Sequence, residues 1–238
     1  MTVRVAVVGA AGRMGSTACA ALTDDPRTEL VAGVGSDGAL SQVLDAGADV
    51  AVELTTPTSV VDNTTWLLER GVHVVVGASG VDADGMDALR AAVGPANCLV
   101  VPNFSVGAVL LMRFAALAAR HLPDVEITEA HHPAKVDAPS GTALRTAEVI
   151  DAAGSERPDL TSPQERSRGL VHHGVPIHSQ RLPGVVAAQQ VVFGGPAQTL
   201  TLRHDSLDRS SFMPGLLLAV TRAADTPGLT VGLDTLLA

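Results

Sequence analysis

The opening of the chain constrains the fold more than any other stretch. Val3–Val8 (VRVAVV) is a short β-branched run that reads as a buried strand. It runs directly into Gly9-Ala10-Ala11-Gly12-Arg13-Met14-Gly15, and a helical pattern follows from Ser16 to Leu22. Strand, glycine turn and helix in that order form the context a dinucleotide-binding fingerprint requires. The glycines let the backbone turn tightly and approach a pyrophosphate, whose charge then meets the N–H groups and positive dipole end of the helix. The spacing here is G-x-x-G-x-x-G, a variant of the usual G-x-G-x-x-G.

The alternation continues. Strands are predicted at Glu29–Val34, Ala48–Leu54, Val72–Val76 and Cys98–Val101, with helices near Leu40–Asp45, Ser59–Arg70 and Asp84–Val93. Strands alternating with helices imply a parallel sheet covered on both faces. Three of these strands end in turns: Thr55-Thr56-Pro57, Gly77-Ala78-Ser79-Gly80 and Pro102-Asn103-Phe104-Ser105. Ligands in open α/β sheets sit at the carboxyl ends of strands, so these turns are expected to line a cofactor cleft. An NAD-preferring site usually carries Asp or Glu at the end of its second strand. Here that position is Gly35, followed by Ser36 and Asp37. Nothing at Gly35 repels a 2′-phosphate and Arg13 can attract one, so NADPH is expected to be accepted at least as well as NADH.

The second half reads differently. Ser105–Leu122 is a long apolar helix, Val125–Glu129 alternates as a strand, and its end presents His131 and His132. Lys135 follows, the only lysine among sixteen basic residues. Lysine is a compact point charge whose pKa moves readily, whereas arginine does not give up its proton, so Lys135 is a candidate for chemistry. Pro133 and Pro139 argue against a helix through this loop. Ser140 is a plausible N-cap for a helix over Gly141–Ala153, whose first N–H groups, at Gly141 to Ala143, offer a second anion site of carboxylate size. Asp151–Gly174 reads as a long surface loop. Its His172-His173 pair lacks Cys or carboxylate neighbours at ligand spacing, so these are expected to be loop histidines and no metal site is expected. Ile177–Arg181, Val185–Phe193 and Thr199–His204 are strand-like; with Val125–Glu129 they make four strands against few helices. One face of that sheet then needs covering by partner subunits, which points to a homo-oligomer. Pro214–Ala224 is a helix that can pack back on the first domain, and the final VGLDTLL is too short to assign.

Composition excludes other classes. Net charge is −9 and aromatic residues are 2% of the chain, with no basic tract, so nucleic-acid binding is not expected. No apolar run approaches ~18–20 residues without polar interruption, so membrane insertion is not expected. Val3–Val8 is too short for a signal h-region and ends in glycines. Cys19 and Cys98 fall in a predicted helix and a predicted strand, and read as free thiols of a cytoplasmic protein.

The stretch EAHHPAKVDAPSGTAL resembles the signature of the 4-hydroxy-tetrahydrodipicolinate reductase (dihydrodipicolinate reductase) family of lysine and diaminopimelate biosynthesis. The likeness extends along the chain: GAAGRMG opens it, GASG stands where the family has GTTG, PNFSVG leads into the second domain and RHDSLDRSSFMPG returns to the first. The resemblance implies an α/β chain with a Rossmann-type parallel-sheet domain, residues 1–104 and 212–238. It also implies a smaller α+β domain, residues 105–211, with a mixed, mostly antiparallel sheet that binds substrate and forms a homotetramer. It implies His131 as acid/base residue and Lys135 as proton-donating, substrate-binding residue. His132, Ser140, Gly141, Thr142 and Arg209 are implied around a cyclic dicarboxylic imine. The cofactor segments are Gly9, Ala10, Ala11, Gly12, Arg13 and Met14, then Gly35, then Gly77, Ala78 and Ser79, then Val101, Pro102, Asn103 and Phe104. The chain departs from the family at Gly35, at Thr56 where a histidine is common, and at Ala78-Ser79, which replaces Thr-Thr.

Reducing a conjugated imine requires a hydride donor on one side and a proton donor on the other, and an imidazole can supply the proton. Lys135 and the helix start at Gly141 together balance the charge of a dicarboxylate. An NADPH- and/or NADH-dependent reductase is therefore expected. Two alternatives stand beside it: a catalytically silent nucleotide-binding regulator, and a reductase of another small cyclic dicarboxylate. The His131, His132, Lys135 and Gly141-Thr142 set favours the first reading, because a sensor has no use for a dicarboxylate site.

Overall fold

The computed structural model describes residues 2–154 and 167–237. The chain divides into two compact units, residues 1–104 with 212–238, and residues 105–211.

In the first unit the apolar runs become the strands of a six-stranded sheet. They are β1 (Val3–Val8), β2 (Thr28–Val34), β3 (Val50–Glu53), β4 (His73–Val76), β5 (Cys98–Val100) and β11 (Leu229–Val231), in the order β11-β5-β4-β3-β1-β2. Every pairing is parallel. All residues of β3 and β5 are buried, as continuous apolar strands covered on both faces must be. The intervening helices are α1 (Arg13–Asp24), α2 (Ser41–Asp45), α3 (Val60–Leu68) and α4 (Ala83–Ala92). The Asp82 side chain caps α4 by accepting from Gly85 N at 2.9 Å. Leu67, Leu68 and Leu89 are fully buried in the sheet–helix core, each contributing about 1.5–3 kcal/mol. Helix α7 (Met213–Arg222) packs in the same unit against α1 and β1, where the sequence places it. Strand order reverses at β1 and β3, and the glycine loop follows β1 at that switch point.

The second unit is a mixed sheet of order β10-β9-β6-β8-β7, formed by β6 (Asp124–His131), β7 (Leu170–His172), β8 (Val175–Arg181), β9 (Ala187–Gly195) and β10 (Gln198–Ser206). Only the β6–β8 pairing is parallel. Helices α5 (Val106–Ala119) and α6 (Gly141–Ala152) supply the core against Ile127, Ile177, Val191 and Phe193. Ser105 caps α5 through Ala108 N at 3.3 Å.

The fold class agrees with the sequence, with two corrections. The unassigned tail contains a sixth strand, β11, and the segment Asp151–Gly174, read as a loop, contains β7. Strands of three residues are too short to show alternation. The rest of that loop, residues 155–166, lies outside the described residues. Both cysteines are free; Cys98 is fully buried in β5, and burial pushes its thiol up to about 12. Among the described residues no helix is long and apolar enough to cross a membrane.

Candidate active site

At the carboxyl edge of the first sheet the turns are knitted to one another. Gly9 N and Ala10 N donate to Val34 O at 2.9 and 3.1 Å, Gly77 N and Ala78 N to Glu53 O at 2.9 and 3.2 Å, and Val101 N to Val76 O at 2.8 Å. Gly9 has φ 87, and a Cβ there would lie 2.7 Å from Leu54 O. A Cβ on Gly15 would lie 2.1 Å from Gly9 O, so only glycine lets α1 begin this close to the loop. Gly12 is the N-cap of α1 and brings no side-chain cap, and the first turn holds no acidic residue. The helix start therefore offers its N–H groups and positive dipole end to an external anion, the donor set a pyrophosphate fits. Ala11, Gly12 and Arg13 are exposed, and Met14 is half-buried. Gly35 follows β2, and a Cβ there would lie 3.9 Å from the Cβ of Ala11, so that position adjoins the glycine loop. Ser79 and Pro102 are exposed and Asn103 half-buried, whereas Val101 and Phe104 are buried. Gly77 sits against the Phe104 ring, which leaves backbone as what those buried positions present.

Sequence reading missed Glu53, a fully buried carboxylate at the end of β3. It accepts from Thr55 N at 3.2 Å, from the Thr55 hydroxyl, and from Asn63 Nδ2 at 3.1 Å, while its carbonyl holds the Gly77-Ala78 turn. One residue thus fixes two adjacent turns. Its only local signal is an acid closing an otherwise apolar run.

In the second unit the chemistry gathers at the end of β6. Alternation along the strand puts Glu129 and His131 on one face. Glu129 is 1% exposed, and its Oε2 lies 2.6 Å from His131 Nδ1. Arg181, at the end of β8 and in register with His131, grips the same carboxylate through two bonds of 3.0 Å. Its remaining N–H groups go to the carbonyls of Lys135 (3.3 Å), Gln180 (2.6 Å) and Asp137 (2.5 Å), so all five guanidinium donors are used. Arg181 thereby pins the His132–Pro139 loop to the strand end. Sequence reading missed it, because β6 and β8 are paired without being consecutive. Ser140 closes the circuit: its N donates to Glu129 Oε1 at 3.2 Å, and its Oγ caps α6 through Ala143 N at 3.2 Å.

The cap corrects one expectation. Ala143 N–H is taken by Ser140 Oγ, and Ser140 itself is 1% exposed, so the side chain acts by building the helix start. Gly141 is exposed and Thr142 half-buried at the same terminus. His132 is half-buried, and its carbonyl accepts from Lys135 N at 3.1 Å. Lys135 Nζ pairs with Asp137 Oδ2 at 2.8 Å. Arg209 opens a short 3-10 turn, Arg209–Phe212, and among the described residues makes no hydrogen bond or ion pair to this set. Burial lowers the pKa of His131. The Glu129 carboxylate opposes that shift, and the charges of Lys135 and Arg181 reinforce it. For Glu129, burial acts upward but is outweighed by the hydrogen bonds from Arg181, Ser179 and His131, leaving the carboxyl below its ordinary value.

A switch-point glycine loop before an uncapped helix, with a second mixed sheet whose strand end carries imidazole, ammonium and a capped helix start, defines a two-unit Rossmann-type oxidoreductase. Two family models match the chain: dihydrodipicolinate reductase, N-terminus, over residues 3–104, and dihydrodipicolinate reductase, C-terminus, over residues 107–237. The chain belongs to the dihydrodipicolinate reductase family. It is 50% identical to the 4-hydroxy-tetrahydrodipicolinate reductase of Cutibacterium acnes over 99% of this chain and 98% of that protein. It is likewise 50% identical to the enzyme of that name from Nocardia farcinica, over 100% of this chain and 99% of that protein. The structure of dipicolinate-bound dihydrodipicolinate reductase from Paenisporosarcina sp. TG-14 superposes with a TM-score of 0.84 at 36% identity, covering 99% of each chain.

Proposed function

We propose that this chain reduces 4-hydroxy-tetrahydrodipicolinate to tetrahydrodipicolinate, the 4-hydroxyl leaving as water and NADPH or NADH giving the hydride, with one proton taken up. The observation that carries the reading is the Glu129 hub, which holds an imidazole, a guanidinium-clamped lysine loop and a helix start within one hydrogen-bonded circuit.

The first unit would hold the dinucleotide. Gly9 to Met14 and the start of α1 would take the pyrophosphate, Gly35 and Arg13 would face the adenosine ribose, and Gly77–Ser79 with Val101–Phe104 would border the nicotinamide. When bound, that group supplies the hydride.

The second unit would bind the dicarboxylate. Gly141 and Thr142 would offer backbone donors to one carboxylate, with His132, Lys135 and Arg209 balancing the remaining charge. His131 is held toward its neutral form by burial, and Glu129 at Nδ1 fixes the ring so that Nε2 is presented. A dianion arriving beside it favours the charged imidazolium, so the substrate itself readies His131 to carry a proton. Lys135 is the second proton source, kept in place by its backbone contact to Arg181. Neither role requires movement of the strand end.

We further read the protein as a cytoplasmic homotetramer assembled through the second unit. Leu170, Val171 and Leu200, 40–50% exposed on β7 and β10, support a partner-covered sheet, and two free thiols support a reducing compartment. The test of the reaction couples the protein to dihydrodipicolinate synthase with pyruvate and aspartate semialdehyde and follows NADPH absorbance. Oxidation dependent on both substrates is expected; none above background would refute the reading.

A further inference from the structure

The second unit carries another cluster of ligating side chains, built by the C-terminal half of α6 and the end of β7. Strand β7 ends at His172, and His173 follows with φ 50, a left-handed conformation uncommon for a residue with a side chain. Along an extended strand consecutive side chains point to opposite faces. The turn at His173 cancels that alternation and sets the two rings edge to face, 4.6 Å between centroids. Helix α6 presents Glu148 to the pair. One ligand atom from each of Glu148, His172 and His173 lies within 4.8 Å of the others.

His172 Nε2 stands 3.6 Å from Glu148 Oε1. That is too long for a hydrogen bond, but it matches two ligands of one tetrahedral ion, which bonds of about 2.0–2.2 Å place roughly 3.3–3.6 Å apart. The same Nε2 is buried and has no hydrogen-bond partner among the described residues. Leaving such an atom unsatisfied is destabilising, and a cation ligated there would satisfy it. The surroundings suit ligation. Arg145 occupies Glu148 Oε2 at 2.9 Å and leaves Oε1 on the histidine side. Asp151 Oδ2 lies 2.9 Å from His173 Nδ1, the outer carboxylate that ligating imidazoles usually carry. No such site is legible in the local sequence, because both carboxylates come from α6, well before the histidine pair.

We propose that Glu148, His172 and His173 bind a divalent ion of the zinc class. Two imidazole nitrogens and one carboxylate oxygen suit Zn²⁺ with water in the fourth position, and they do not suit Mg²⁺ or Ca²⁺, which take oxygen ligands throughout. The ion would tie α6 to the β7–β8 hairpin. The proposal does not depend on the reductase reading.

The test uses the full chain, stripped with a chelator. It is titrated with Zn²⁺ by calorimetry and with Co²⁺ by visible absorption, beside His172→Gln, Glu148→Gln and Asp151→Asn, each checked for parental circular dichroism. The expected result is one equivalent bound with a tetrahedral Co²⁺ spectrum and a Tm that rises with Zn²⁺. His172→Gln and Glu148→Gln should lose that binding, and Asp151→Asn should weaken it about 10–100-fold. Absence of a saturable equivalent in the parent, or equal affinity in His172→Gln and Glu148→Gln, would overturn the proposal.

Discussion

Glu129 and His131 stand two residues apart on β6 with 2.6 Å between carboxylate and imidazole, and the carboxylate is held from its other side by Arg181. The pair is where fold and chemistry meet. The carboxylate that steers the imidazole is also the anchor for a loop and a helix cap, so neither function can be altered alone.

Replacing Glu129 by Gln therefore has two effects at once, each with its own readout. It removes the negative charge that raises the His131 pKa, so His131 should titrate lower than in the parent; imidazole NMR resolves this, and an unchanged or higher value would refute the steering role. It also leaves Arg181, one-fifth exposed, without its anion. Breaking a buried pair costs about 3–5 kcal/mol, and the partial exposure of Arg181 puts the expected loss near 3 kcal/mol, read by urea denaturation.

The same two groups shape acid stability. His131 titrates lower in the folded chain, so below the unfolded value of about 6.5 the unfolded chain binds more protons, and stability declines until the folded pKa is passed. Glu129 is also lowered, so its contribution is present above the unfolded value of about 4.3 and is lost as pH falls through the folded one. Denaturation free energy measured from pH 7 to 3 should fall in both windows, and Glu129→Gln should lose the lower one.

Lys135→Ala and His131→Ala should each lower turnover by about 10²–10⁴-fold, the usual range for a positioned proton carrier, with cofactor affinity retained. Fluorescence titration of bound NADPH separates the two quantities. Near-parental turnover in either variant removes that residue from the mechanism.

Cofactor choice should turn on Gly35. The position is not in a left-handed conformation, and a Cβ there meets only ordinary contact with Ala11, so Gly35→Asp is sterically allowed. A new carboxylate near a 2′-phosphate introduces roughly 1–4 kcal/mol of repulsion, and NADPH should weaken tenfold or more while NADH holds. Arg13→Ala should weaken NADPH alone. Equal losses for both cofactors would show that Arg13 serves the pyrophosphate instead.

Much of this was legible in the sequence, for physical reasons that differ by element. The first sheet announces itself because buried parallel strands are unbroken apolar runs, and the glycine loop because only glycine tolerates the approach of Gly15 to Gly9. Ser140 was readable as a cap because capping is local. Arg181 was not, since its partner lies 52 residues away across a parallel pairing. Strands β7 and β11 were missed because three residues carry no period, and the carboxylates beside His172-His173 because a helix brings them from elsewhere.

Strand β11 and helix α7 belong to a unit whose other strands all precede residue 105. On the ribosome, the first half of that unit must therefore wait, with the edge of β5 unpaired and the place of Leu216 and Leu233 unfilled, until the whole intervening unit has emerged. Residues 105–211 are continuous and carry their own core, so they are free to fold first. Order of synthesis and order of completion are thus reversed in this chain, and the dinucleotide half is the last to close.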